Sequence, residues 1–129
     1  VIFDLADEPD AIVLSTETAE DVIIAALRKI VGIAELPDRD QSIFALEMLE
    51  NMLREWRGRG ADLGITFPLE LSTVLAVQDS FIPAIKANLT LALCDDFQRE
   101  ITPSLQRRAT MGLVHVLQAF APEYTNEQF

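Results

Sequence analysis

The stretch Asp40–Gly60, DQSIFALEMLENMLREWRGRG, decides the fold class. Leu46, Leu49, Leu53 and Trp56 recur at intervals of three, four and three, which aligns them on one face of an α-helix. Ala45, Met48 and Met52 widen that stripe. Asp40 or Ser42 can supply the capping oxygen at its start, and Gly58 and Gly60 stop it. Arg54, Arg57 and Arg59 gather at the C-terminal end, where the helix dipole favours cations. About 17–18 residues at ~1.5 Å each give roughly 26 Å, enough to run the length of a small bundle.

The pattern repeats on both sides. Upstream, Thr18 and Asp21 have the spacing of a capping box, and Glu17, Glu20 and Asp21 suit the positive end of a helix dipole. Ile23, Ala26, Leu27, Ile30 and Val31 follow at helical spacing, and Gly32 ends the run. Downstream, a third helix is expected from about Asp79-Ser80, with Pro83 in its first turn and Ile82, Ile85, Leu89, Ala92 and Leu93 facing inward. Thr102-Pro103 then reads as a cap followed by a first-turn proline. Leu105, Ala109, Gly112, Leu113, Val116, Leu117 and Phe120 form the fourth apolar stripe, and Pro122 closes it. Glycine disfavours helix, so Gly112 marks an expected close helix crossing.

Residues 61–80 are a long break between the second and third helices. Gly64, Pro68 and the β-branched or aromatic Ile65, Thr66, Phe67 and Val74 predict turns and a short strand there. A structureless gap of that length inside a compact domain is usually functional or wrongly assigned. The resulting expectation is all-α: a four-helix, bundle-like domain over residues 18–121, with an extended arm at 1–17 and a tail at 122–129. In the arm, Val1-Ile2-Phe3 and Ile12-Val13-Leu14 are apolar patches separated by Asp7-Glu8-Pro9-Asp10, and either can pair as a strand or dock on a neighbour.

Half of the 129 residues are hydrophobic, which suffices for one domain core. No apolar run reaches the ~18–20 residues of a membrane span, so no membrane association is expected. Residues 1–21 contain no Lys or Arg, which argues against a secretory signal. The sequence opens on Val1 rather than methionine, and a few preceding residues are expected. Formal net charge is −11, unevenly spread: residues 1–21 carry seven acids and no base, whereas 22–60 and 101–129 balance. A polypeptide of this charge is a poor ligand for a phosphate backbone, which requires clustered Lys and Arg.

Catalytic groups are scarce. His115 is the one histidine and Cys94 the one cysteine, and both sit within helical apolar runs. A catalytic triad needs a positioned base beside a nucleophile, and zinc needs three or four ligands. Neither Asp38/Asp40 nor Asp95/Asp96 fits a calcium loop, and no glycine-rich phosphate loop occurs. Carboxylates are plentiful enough for a glycosidase-type pair, but nothing singles out two of them. The residues therefore predict no catalytic site, no cofactor and no metal. Trp56 reads as a core anchor.

Several helical motifs resemble one family. Ala26-Leu27-Arg28-Lys29-Ile30 with Gly32 is similar to its first-helix signature. Ala45-Leu46, Leu49, Met52-Leu53, Glu55-Trp56 and Gly60 resemble its second helix, with Leu49-Glu50 in place of the usual Leu-Asn. Ala84-Ile85-Lys86-Ala87-Asn88-Leu89 resembles its third, Thr90 standing where alanine is common, and Pro103, Leu105 and Ala109 continue in order. The family is the tail accessory factor, or packaged-DNA stabilisation protein, of short-tailed bacteriophages, a head-to-tail adaptor. The resemblance spans roughly residues 18–120.

It implies a structural virion protein, made in the host cytoplasm and placed at the head–tail junction. There it would form a homo-oligomeric ring of about twelve subunits beneath the portal. Such a ring extends the DNA channel, helps retain packaged DNA and offers a platform to downstream nozzle or needle proteins. DNA would pass the acidic lumen without specific binding. A ring needs two different complementary surfaces per subunit. Asp7 and Glu8 of the arm against Arg54, Arg57 and Arg59 form one candidate pair. Ile2, Phe3, Phe67, Tyr124 and Phe129 are candidate apolar contacts with neighbours or portal. The alternatives are a generic acidic helical interaction module, regulatory or antitoxin-like, and a carboxylate hydrolase.

Overall fold

The computed structural model describes residues 12–31 and 36–121. Among the described residues four helices carry the fold: α1 (Ala19–Val31), α2 (Arg39–Gly58), α3 (Ile82–Asp96) and α4 (Pro103–Ala119), with a 3-10 turn, Asp79–Phe81, leading into α3. No strand occurs among the described residues. The domain is all-helical and bundle-like, as the apolar spacing predicts.

α3 is the axis of the molecule. It packs on α1, α2 and α4, whereas α4 touches only α3 and the Asp79–Phe81 turn among the helical elements. Burial on several sides follows. Ile82, Ala84, Ile85, Leu89, Thr90, Leu93 and Cys94 are all buried, so the one-sided face expected for this helix is too narrow, and Ala92 is half-buried. Leu49, Leu53 and Trp56 of α2 and Val22, Ile23, Ala26 and Leu27 of α1 complete the core. Leu46, Met48 and Met52 are half-buried against it.

Three of the four helix N-termini described carry a side-chain cap. Thr18 Oγ1 accepts from the Asp21 amide at 3.1 Å, and the Asp21 carboxylate accepts from the Thr18 amide at 3.0 Å. That is the capping box read from sequence. The α2 cap differs from expectation. It is Asp38, not Asp40 or Ser42: Asp38 accepts from the Gln41 amide at 2.8 Å, and Gln41 Oε1 accepts from the Asp38 amide at 3.0 Å. The Asp-x-x-Gln spacing satisfies two amides at once, which a cap two or four residues later would leave open. α4 starts as read, with Thr102 Oγ1 accepting from Leu105 N at 3.1 Å and Pro103 in the first turn.

The stretch after α2 is an extended strap. From Ala61 to Val77 every odd-numbered residue is buried or half-buried, and every even-numbered one is exposed. This is the two-residue period of a strand, laid on helices instead of into a sheet. Its tertiary backbone bonds go to the segment before α1 and to the first turn of α1, where Ala19 N donates to Thr73 O at 2.8 Å and Glu20 N to Leu71 O at 3.0 Å. Ser15 N donates to Val77 O and Leu75 N to Glu17 O, both at 2.8 Å, while Asp79 N donates to Val13 O at 2.7 Å. Isolated antiparallel bridges join Leu14 to Gln78 and Thr18 to Val74. The short strand expected in 61–80 is thus two single bridges, because the two backbones pair at separate points and not over consecutive residues. The Ile12-Val13-Leu14 patch does pair, whereas Val1-Ile2-Phe3 lies outside the described residues.

Candidate assembly surfaces

The arginine end of α2 is a fastening for the strap. The Arg54 guanidinium lies 4.5 Å from the Phe67 ring centroid and that of Arg57 lies 4.9 Å away. Both distances are within cation–π range. Glu50, one turn before Arg54, completes the arrangement. Its Oε2 accepts from Arg54 Nη2 at 2.9 Å, and its Oε1 accepts from Leu69 N at 2.8 Å. The Leu69 amide, aided by Arg54 and opposed by partial burial, holds the Glu50 carboxyl below the ordinary glutamate value.

Three of the expected site residues, Arg54, Arg57 and Phe67, are therefore brought together within one chain. Arg59 stands apart. Its backbone amide closes α2 on Glu55 O and Trp56 O, and its side chain is exposed beside a groove between α2 and α4. Ile2, Phe3, Asp7, Glu8, Tyr124 and Phe129 lie outside the described residues.

Sequence reading missed the grooves that flank α4. They exist because α4 leans on α3 alone. Gly112 makes that contact: a Cβ there would sit 2.8 Å from Ala84 Cβ and 2.9 Å from Ala84 Cα. This is the close crossing that glycine predicted. Asn88 ties the same interface, its Nδ2 donating to Ala84 O and to Ala109 O, each at 2.9 Å. On one side of the crossing lies a groove of about 450 Å³, with Lys29, Lys86 and Arg108 around an apolar floor that includes Ala84 and Leu105, and with Met111 at its edge. None of its twelve lining residues is acidic. On the other side is a groove of about 360 Å³ containing Met48, Met52, Trp56 and Leu113. The sequence signal for the first groove was present. Residues 103–119 contain Arg107 and Arg108 and no acid, in a chain of net charge −11.

At the end of the larger groove, Ser80 Oγ lies 3.4 Å from His115 Nε2, and the imidazole stands edge-on to Phe81 at 5.6 Å. Among the described residues no carboxylate hydrogen-bonds the other imidazole nitrogen, so nothing orients the ring as a triad requires. Cys94 is buried. Among the described residues no group of three or more His, Cys, Asp or Glu converges on a common point. No helix described is long and apolar enough to cross a membrane.

These surfaces suit protein–protein contact. An all-helical domain presents an extended strap on one side of α2 and two open grooves along α4. No curated protein matches the chain. The family model for the P22 tail accessory factor matches residues 13–123, a span that takes in all four helices, the strap and both grooves. The chain belongs to the P22 tail accessory factor family, and its role is structural, within the phage tail.

Proposed function

We propose that this chain is a head-to-tail adaptor: copies assemble into a closed ring beneath the portal, lengthen the DNA channel, help retain the packaged genome and receive the next tail protein. The observation that carries the reading is the family match across the whole helical domain. The physical character of the surface supports it. A conduit for a polyanion works best when its wall does not bind phosphate, and a formal charge of −11 meets that requirement. A ring uses head-to-tail contacts between unlike patches. The charge is unlike along the chain: acids concentrate in the sequence before α1, and cations line the groove beside α4.

Native mass spectrometry of the purified chain, alone and mixed with its portal protein, tests the reading. The expected result is a cyclic oligomer, either free or formed on the portal. A chain that stays monomeric and ignores the portal would return it to the class of small acidic interaction modules.

A further inference from the structure

We propose that the groove between α3 and α4 receives the acidic N-terminal arm, residues 1–11, of a neighbouring copy of this chain. The inference rests on the ring reading above and names the contact that would close it. The groove is the acceptor. Lys29, Lys86 and Arg108 surround an apolar floor, and no carboxylate lines it. Lys86 already takes one acid, Glu17, at 2.9 Å, so the rim accepts a carboxylate from the segment before α1. Lys29 and Arg108 are exposed and make no ion pair among the described residues. On a chain with 21 acids and 10 bases, two such cations beside one apolar groove leave a local charge for a partner to neutralise.

The arm is the matching donor. Residues 1–11, VIFDLADEPDA, hold the apolar Val1, Ile2, Phe3 and Leu5 with four acids and no base. An extended segment of this length reaches about 36–40 Å. The groove follows α4 from Leu105 to His115, roughly 15 Å of helix. Length therefore does not limit the contact.

The base of the arm favours a second copy over the same chain. Ile12, Val13 and Leu14 are 64, 67 and 55% exposed, although their backbone is fixed by the Asp79–Val13 hydrogen bond and the Leu14–Gln78 bridge. Met111, at the groove, is 64% exposed. The apolar stretch Ile12-Val13-Leu14, which follows the acidic arm in sequence, and Met111 at the cation-rimmed groove are thus both exposed. Such a pair of unlike patches produces head-to-tail association. A nucleic-acid backbone is a weaker match, because a duplex requires many clustered cations.

Two variants with one added cysteine each test this, one carrying Phe3→Cys and the other Met111→Cys, both retaining the buried Cys94. Mixed and mildly oxidised, they are expected to give a disulfide-linked dimer of the two different variants. Its yield should exceed several-fold that of a control pair using Asp95→Cys at the exposed end of α3. Arg108→Glu in the acceptor should lower that yield several-fold, and Asp7→Lys in the donor should restore it. A yield equal to the control, while native mass spectrometry still finds the oligomer, overturns this contact and leaves the ring reading standing. A chain carrying both cysteines that closes on itself as a monomer also overturns it. A chain that remains monomeric with its portal removes the ring reading and this contact together.

Discussion

Gln98 holds φ at 56°, the left-handed region that glycine enters most easily. It sits just past α3, where Arg99 N donates to Cys94 O at 2.8 Å and Gln98 N to Asp95 O at 3.2 Å. This pair of bonds is a Schellman ending with glutamine at the position glycine usually fills. Gln98→Gly should therefore raise stability by about 0.5–1 kcal/mol, seen as a higher thermal midpoint. Gly112 predicts the opposite sign. Its missing Cβ lets the α4 backbone approach Ala84, and Gly112→Ala should destabilise by about 1–2 kcal/mol despite alanine's better helix propensity. An unchanged denaturant midpoint for that variant would show that the crossing has slack.

Glu50 gives a pH signature at the same scale. Its folded pKa lies below the ordinary value of 4.5. The carboxylate's contribution is thus fully present above the unfolded pKa and is lost as pH falls through the folded one. The Leu69 amide resonance should titrate with a midpoint below 4.5 and become flat in acid for Glu50→Gln.

At the scale of elements, the four helices were legible because each repeats its apolar residues with the helical period, and three of them start on a capping side chain, whereas α3 is entered through the Asp79–Phe81 turn with Pro83 in its first turn. The second helix's start was misplaced, since three candidate oxygens lie within five residues: Asp38, Asp40 and Ser42. Only the Asp38–Gln41 pair closes reciprocally, and the glutamine three residues on was the signal that decides it. The strap was harder to read. Ala61, Leu63, Ile65, Phe67, Leu69, Leu71, Leu75 and Val77 alternate strictly, with Thr73 keeping the phase. Gly64 and Pro68 conceal that period by suggesting turns. Alternation normally implies a sheet, yet here the partner surface is helical. The arginine cluster was legible as a cluster, but its contact with Phe67 was not, because 10–13 residues and a change of direction separate them.

The strap's attachment can be tested directly. Leu75→Ala removes a fully buried side chain and should cost about 2–5 kcal/mol. Phe67→Ala should cost less globally, because the ring is half-buried. It should still raise amide exchange locally from Ile65 to Leu69 as both guanidiniums lose their platform.

For the whole molecule, the decisive property is that charge and packing are asymmetric together. α3 is enclosed by three helices, and α4 is held on one side only. Along the sequence the acids concentrate in the N-terminal quarter, whereas the groove beside α4 carries Lys29, Lys86 and Arg108. Association driven by that separation should weaken with salt, since exposed charges are screened beyond about 8–10 Å at physiological ionic strength. Sedimentation at low and high salt should show a shift toward smaller species in high salt. Insensitivity to salt would place the contact energy in the apolar grooves instead. None of this was readable from the helical stripes, because a stripe reports the face a helix buries and not which faces remain uncovered.

The strap also has a consequence for inheritance. Its two sets of side chains answer to different constraints, the odd set to the core and the even set, from Asp62 to Ala76, to whatever lies outside. Substitution tolerance measured position by position through 61–77 should oscillate with a period of two. A lineage can thus rewrite what this stretch offers a neighbour, one alternate letter at a time, while the fold beneath is copied unchanged.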